Sequence, residues 1–159
     1  MLQFLHRRQH LSVRLHRRAL LHEENPMSYE SNIPVTSHFF AGEDKILSYE
    51  VFSDDGVTME DVTSFQMEWS LRKTIPGKDP FRFQGEVVIT KSTVDVITVT
   101  GAYNATQNTN TQRVIVPIYD IDTESLVGGR YVCSLKRMDA GLEAVLSHGI
   151  VEVLIATVR

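Results

Sequence analysis

Apolar and polar side chains alternate with a period of two along several short segments of this 159-residue chain. The clearest case runs from Phe65 to Arg72, where Phe, Met, Trp and Leu alternate with Gln, Glu, Ser and Arg. Successive side chains of a β-strand point to opposite faces, so this pattern predicts strands that bury one face. Turn signals such as Asp54-Asp55-Gly56 separate these segments. Because no segment after Met27 shows a long helical period, and parallel α/β folds need crossover helices, we predict an all-β domain.

The bulk composition fits one folded domain with a short extension. Apolar residues make up 42% of the chain and charged residues 23%, as in ordinary globular domains, so a buried core is expected. Cys133 is the only cysteine, which excludes an intramolecular disulfide and a zinc site built from several cysteines. No apolar run approaches the ~18 residues of a membrane-spanning helix, so no membrane span is expected. No cofactor is expected either.

Charge divides the chain into two parts. Residues 1–26 carry five Arg and two Glu, a net charge of +3, whereas residues 27–159 carry 11 basic and 18 acidic side chains, a net charge of −7. An acidic surface repels the phosphates of nucleic acids, so we expect no nucleic-acid contact from the main domain. The sequence thus predicts a basic N-terminal extension, helical or disordered, at 1–26 and a single β-sandwich domain at 27–159.

Three interpretations of the extension remain open. It is basic and poor in acids like a mitochondrial transit peptide, although such peptides are usually rich in Ser and this one has only Ser12. It could instead be a basic interfacial helix or docking arm, since apolar residues recur at i, i+4 spacing. It could also be an over-extended gene start. Glu23-Glu24 would be encoded by a purine-rich sequence like a bacterial ribosome-binding site, and Met27 follows two codons later.

The choice among all-β folds is narrowed by one stretch, Gly129-Arg130-Tyr131-Val132-Cys133. In immunoglobulin-like sandwiches a tyrosine lies two residues before the cysteine of strand F, and its hydroxyl hydrogen-bonds back to the chain upstream. Tyr131 and Cys133 have that spacing, and Trp69 lies where the buried tryptophan of strand C is expected. The partner cysteine of strand B is missing, so Cys133 should be a buried apolar thiol. We therefore expect an antiparallel immunoglobulin-like β-sandwich of about seven to nine strands; another antiparallel sandwich, a jelly roll and a small barrel are the alternatives.

Several local features predict finer details. Pro117 indicates an edge strand or a bulge. Gly149 predicts a break between two half-strands. Residues 102–112, rich in Asn, Gln and Thr, predict a mobile loop with nothing to bury. The structural core is expected to centre on inward-facing residues, namely Phe65, Trp69, Tyr131, Cys133 and Leu135.

Over residues 33–155 the chain resembles a family of small immunoglobulin-like proteins encoded among the virion and tail genes of tailed bacteriophages. The family includes the N-terminal domains of baseplate upper proteins. The shared motifs are the DDG turn, the Trp69 strand, Gly129-Arg130-Tyr131 and Asp139-Ala140-Gly141. This resemblance implies a tail, baseplate or head-associated structural protein, located in the virion and assembled in the host cytoplasm. It also implies contacts with other virion structural proteins and a homo-oligomer or symmetric assembly, and it brings no catalytic residues.

Catalysis finds little support in the sequence. His38 and His148 are the only histidines after residue 26, and Cys133 lies on a predicted inward face. A catalytic cysteine needs an accessible thiol with a lowered pKa, whereas a buried apolar cysteine is inert. We therefore expect that the chain is not an enzyme.

Three alternating acids are weak candidates for a metal site. Asp120, Asp122 and Glu124 would face one side of a strand and could hold a hard cation such as Ca²⁺. The calcium-loop glycine is missing, and a solvated acidic strand end is the commoner explanation, so no metal is expected.

Two loops are candidates for binding. Residues 75–83 place Phe81 and Phe83 next to two prolines, either exposed or folded inward at the start of a strand. Asn104 and Asn108 lie in the Asn- and Thr-rich segment described above. If both loops recognise a ligand, the chain would be a carbohydrate- or receptor-binding adhesin domain, which is the alternative to the virion role.

Overall fold

The computed structural model describes residues 35–155, so the predictions about residues 1–26 lie outside the described residues. No helix in the described range is long and apolar enough to cross a membrane. In chain order the elements are β1 (Val35–Phe40), β2 (Lys45–Tyr49), β3 (Met67–Thr74), β4 (Gln84–Ser92), β5 (Thr98–Thr100), β6 (Arg113–Ile118), α1 (Asp120–Thr123), β7 (Gly129–Arg137) and β8 (Ala144–Leu154).

The strands form two sheets. One has five strands in the order β1-β8-β7-β3-β4, and the other has three in the order β2-β6-β5. In immunoglobulin sandwiches strands C, F and G share one sheet, strands B, E and D share the other, and the variable type adds strand C′ beside C. Here β3, β7 and β8 take the places of C, F and G, with β4 in the place of C′. In the other sheet β2, β6 and β5 take the places of B, E and D. Both sheets have this order. The chain is therefore an immunoglobulin-like β-sandwich, as the sequence predicts.

One strand pair departs from the antiparallel expectation. β1 runs parallel to β8, from Val35 opposite Ile150 to Phe40 opposite Leu154. The other pairs in the two sheets of residues 35–155 are antiparallel. Short hairpins impose antiparallel pairing, but β1 and β8 are the first and last strands of residues 35–155, and no hairpin joins them. Their relative direction is therefore free of that constraint.

The predicted core residues lie between the two sheets. Trp69 and Leu135 are fully buried, and Tyr131 and Cys133 are nearly so. Phe65 is also buried, but it precedes β3 in a turn in which its N–H donates to the Val62 carbonyl. The alternation around Trp69 thus predicts which residues are buried better than it predicts where the strand begins.

Tyr131 makes the hydrogen bond expected of its position. Its hydroxyl donates to the Val127 carbonyl oxygen at 2.7 Å. This bond closes the corner between α1 and β7, because Val127 lies in the segment that joins them. It is the backward contact to the upstream chain that characterises immunoglobulin sandwiches.

A contact among three side chains replaces the missing intersheet disulfide. The indole Nε1–H of Trp69 donates to the Tyr49 hydroxyl at 2.8 Å. The same hydroxyl contacts the thiol of Cys133. Burial raises the pKa of Cys133 to about 12, so the thiol stays protonated at neutral pH. Tyr49 belongs to β2 in one sheet, whereas Trp69 and Cys133 belong to β3 and β7 in the other.

Two local predictions about strands are wrong. β6 contains Pro117 but is the central strand of its sheet. Proline is accommodated because β5 pairs only as far as Ile115, so Pro117 lies beyond the end of that strand. β8 is continuous through Gly149, which pairs with Cys133 in the ladder with β7. Here glycine takes part in an ordinary extended strand instead of a turn.

Replacing Tyr49 by Phe should lower the free energy of unfolding by about 1–3 kcal/mol, because the buried Trp69 N–H loses its acceptor. Urea unfolding followed by tryptophan fluorescence measures this difference. Tyr103→Phe is the matched control, since Tyr103 is 41% exposed and its hydroxyl donates to the Met59 carbonyl at 3.2 Å in a part-buried bond that water can replace. Equal effects of the two substitutions would contradict the importance of the buried contact.

Candidate interaction surface

The outer face of the five-stranded sheet, which points away from the core, is buried at its centre. Val132 and its cross-strand neighbour Ile150 are only 1% and 2% exposed. Ser70 and Ser134, paired on β3 and β7, are buried beside them and hydrogen-bond each other at 3.2 Å. A solvated sheet face exposes its outward residues, so this centre is covered.

The loop between β3 and β4 provides part of this cover. The Phe81 ring lies on the His148 ring with 4.5 Å between centroids, so the loop folds back onto β8. The Phe81 N–H donates to the Asp79 carboxylate at 2.9 Å, which stabilises the turn. Phe83 remains 50% exposed, next to the Lys78 ammonium. The structure thus separates the two predicted aromatics: Phe81 packs on the sheet, and Phe83 remains accessible.

Partial burial beside Phe81 lowers the pKa of the His148 imidazole, and the negative charge of Asp79 opposes this shift. The residue is still exposed to solvent, so the contact removes only part of its hydration. Protonation of the imidazole therefore opposes this contact.

A wide groove adjoins this contact. It has a volume of about 1060 Å³, and we call it the hairpin groove because the β7–β8 hairpin forms one wall. The other walls come from residues 51–65 and from the β3–β4 loop. Its lining combines apolar side chains with charges of both signs, including Phe52, Phe81, Leu142, Val145, Glu60 and Lys136.

Residues 102–112 are tied to the chain before β3 by a buried amide. Gln112 donates to the Asp61 carboxylate at 3.0 Å and to the Thr63 hydroxyl at 2.8 Å. Its amide oxygen accepts the Val62 N–H at 3.1 Å. The prediction that this segment has nothing to bury is wrong, because polar amides can be buried when each has a partner.

The two asparagines predicted to bind a ligand are exposed in this segment. The amide oxygen of Asn104 accepts the N–H of Thr106 at 2.9 Å, so it organises its own loop. The Asn104 N–H in turn donates to the buried Asn110 at 2.9 Å. Asn108 lies at the surface nearby.

The three alternating acids do not converge. Asp120 and Asp122 lie in α1 and Glu124 follows it, so Asp122, two residues from each of the other acids, does not face either of them. The Asp122 carboxylate accepts the Tyr119 N–H at 2.7 Å and forms a 2.6 Å ion pair with Lys91. Residues 35–155 contain no group of three acids, histidines or cysteines suited to a metal. Asp122 has a structural role instead, because its ion pair with Lys91 of β4 joins α1 to the five-stranded sheet.

The cysteine and the histidines are placed apart. Cys133 faces the core, whereas His148 is paired with Ser134 on the outer face of the same sheet. His38 is exposed on β1, where its Nε2 lies 3.2 Å from the Glu152 carboxylate. Neither imidazole is positioned to take a proton from the thiol.

The two predicted binding loops leave the sandwich at opposite ends. Residues 75–83 follow β3 at the end where β7 begins, because Lys73 pairs with Tyr131. Residues 102–112 precede β6, and the chain from the other end of β6 leads through α1 into β7. None of residues 102–112 lines the hairpin groove with Phe81. A single ligand site built from both loops is therefore not formed.

The covered outer face was not predicted from the sequence, although a signal for it exists. β7 has five consecutive buried residues, 131–135. Val132 occupies an outward position, and Ile150 directly precedes the inward Val151. Apolar residues at such positions interrupt the alternation and are typical of strands covered on both faces.

Comparison with known proteins leaves the chain without an assigned family. No protein-family model and no curated protein matches it. Among solved structures it is similar to the natural killer cell receptor NKp44, with a TM-score of 0.38 and 10% identity over 79% of this chain and 100% of that chain. So weak a similarity carries no argument, and the fold assignment rests on the strand order and the tyrosine corner.

Acidification should destabilise the domain through His148. Because its folded pKa is lowered, the unfolded state binds more protons as the pH falls below about 6.5, and stability is lost there. The effect should stay below about 1 kcal/mol, since the side chain is partly solvated. Unfolding at pH 7.5 and 5.5 should show a smaller difference for His148→Gln than for the unmodified chain. An unchanged pH dependence in His148→Gln would contradict the assignment.

Proposed function

We propose that this chain is a structural component of a tailed bacteriophage virion, in the tail, baseplate or head-associated region, and that it acts through protein–protein contacts and not as an enzyme. The observation that carries the protein–protein part is the free edge of β4. This strand has nine residues and ends the five-stranded sheet, with no described strand on its second side. The phage context comes from the resemblance of residues 33–155 to virion and tail proteins.

An unpaired strand edge presents backbone N–H and C=O groups that a strand from another chain can bind. The edges in the three-stranded sheet are shorter, since β2 has five residues and β5 has three. Apolar side chains accompany the β4 edge. Val87 lies on β4 with 37% exposure, and the half-exposed Phe83 directly precedes the strand.

Symmetry extends this proposal to a homo-oligomer. Two copies of β4 paired antiparallel about a twofold axis would bury the same surface on both chains. The strand also carries groups that limit random association, because Glu86 on the edge is paired with Lys73 at 2.9 Å. Charged residues on edge strands oppose unspecific pairing. Partners therefore need a matching surface, as neighbouring virion proteins would have.

Particles of the virus that carries this gene provide the direct test of location. Mass spectrometry of purified particles should detect the chain, and cryo-electron microscopy should show density for this sandwich in a symmetric arrangement. Particles that lack both the peptides and the density would overturn the virion proposal.

Substitution on the edge tests the contact surface. Val87→Lys places a charge on β4 and should reduce self-association or incorporation into particles at least tenfold. Val94→Lys is the matched control, because Val94 is 90% exposed in the turn after β4 and makes no edge. Analytical ultracentrifugation measures self-association, and thermal unfolding checks that both variants fold. Equal behaviour of the two variants would exclude β4 as the contact.

The hairpin groove favours a second candidate, a carbohydrate- or receptor-binding adhesin domain. Its aromatic residues Phe52 and Phe81 could contact a sugar or an apolar side chain of a receptor. Glycan-array binding that is lost in Phe52→Ala would support this function, whereas an array without binding would count against it.

A further inference from the structure

The outer face of the three-stranded sheet carries apolar side chains in contact with solvent. An antiparallel sheet with one solvated face normally places apolar residues inward and polar residues outward. Here Ile46 points outward from β2 and is 70% exposed. All outward side chains of β2, β6 and β5 are at least partly exposed, namely Ile46, Ser48, Arg113, Ile115, Pro117, Thr98 and Thr100.

The pairing of the strands places the apolar residues of this face together. Ile46 of β2 is directly opposite Pro117 of β6, and Ile115 is opposite Ser48. Ile115 is therefore the diagonal neighbour of Ile46 on the same face. On the other side of β6, Ile115 is opposite Thr98 of β5. Ile46, Pro117 and Ile115 thus form one continuous patch, which we call the β6 patch, and not three isolated exposed residues.

The β6 patch lies on a face without net charge. Arg113 is the charged outward residue of β2, β6 and β5, and it forms an ion pair with Glu50, the residue directly after β2. By contrast, the outward positions of the five-stranded sheet include Glu68, Arg72 and Lys136. Charged residues are depleted at the centre of protein interfaces, so the face of the three-stranded sheet is the better suited of the two.

We propose that the β6 patch is a contact between two copies of this chain, which pack the outer faces of their three-stranded sheets together about a twofold axis. This inference depends neither on the virion role nor on the edge of β4. Sheets pack face to face about 10 Å apart, as the two sheets of a sandwich do. A twofold axis brings the same patch of both copies together, so apolar surface meets apolar surface.

Charge favours a second copy over a basic partner. Residues 27–159 carry a net charge of −7, so two copies repel each other where their acidic surfaces meet. The β6 patch adds no charge of either sign, so two copies can approach there with the least repulsion. A basic partner would gain nothing from this face, because the face offers no negative charge to attract it.

The size of the face sets the expected strength of the contact. Three strands about 4.8 Å apart and five residues with a rise of about 3.4 Å cover roughly 14 by 17 Å. This area is smaller than the ~800 Å² that each partner buries in a standard interface. The dimer should therefore be weak and should form only as the protein concentration increases.

Sedimentation of the full-length chain over a range of concentrations tests the contact. Val87→Lys serves as the background, because a charge on β4 removes the edge contact and leaves the β6 patch. In this background Ile46→Lys should weaken dimerisation at least tenfold, since it brings like charges together in the contact. Val57→Lys is the matched control, because Val57 is 74% exposed and lies in the turn between Phe52 and Met59. Thermal unfolding checks that all variants fold.

A dimer that persists in Val57→Lys and is lost in Ile46→Lys supports the proposal. A background that stays monomeric at the highest soluble concentration would overturn it, and so would equal effects of the two substitutions. If Ile46→Lys lowers incorporation into particles while the background forms no dimer, the patch binds a different protein and the proposal is also overturned. None of these results bears on the virion role.

Salt separates this contact from an electrostatic one. Residues 1–26 carry a net charge of +3 and residues 27–159 a net charge of −7, so the extension of one copy would attract the body of another. Salt screens such attraction, whereas an apolar contact between two acidic bodies should be unchanged or stronger in high salt. A dimer that dissociates in high salt would therefore contradict a contact through the β6 patch.

Discussion

The hydrogen bond from Trp69 to Tyr49, with Cys133 against the same hydroxyl, is a buried polar contact that joins the two sheets. An intersheet disulfide at this place would stabilise the domain by about 2–4 kcal/mol, mainly by restricting the unfolded chain. A hydrogen bond adds only about 0.5–1.5 kcal/mol net, so the remaining stabilisation must come from apolar burial and other ties between the sheets. The largely buried ion pair between Lys91 of β4 and Asp122 of α1 also contributes, because it joins the five-stranded sheet to the connection that follows β6. Removing one partner of a buried pair leaves the other charge uncompensated, which makes such ties sensitive to substitution.

The five-stranded sheet is covered on both faces, unlike a sheet that exposes one face to solvent. β7 lies at its centre and buries Val132 outward as fully as it buries Leu135 inward. This arrangement requires cover from outside the sandwich core, and the β3–β4 loop supplies some of it through Phe81 and His148. This contact includes a titratable group, since partial burial lowers the pKa of His148. The cover of the outer face is therefore sensitive to acid at this point.

The alternation of apolar residues and the Tyr131–Cys133 motif made the fold predictable from the sequence. The contacts at the surface could not be predicted in the same way. The alternation from Phe65 and the Tyr131–Cys133 spacing each report on neighbouring residues, so they are visible in a single sequence. The parallel direction of β1, the central position of β6 and the burial of Gln112 depend on contacts between residues far apart in the chain. The separation of Phe81 from Phe83 has the same origin, since the decisive partner, His148, lies far away in the sequence.

The distribution of open edges indicates where partners can bind. The three-stranded sheet offers little, because β5 is three residues long and β2 is five. Within residues 35–155 the five-stranded sheet ends in β4 on one side and in β1 on the other, and residues 144–149 of β8 extend beyond β1. With nine residues, β4 is longer than β1, which has six. A longer edge offers a partner strand more backbone N–H and C=O groups. Edge-to-edge contacts between molecules should therefore concentrate on the β4 side of the sheet.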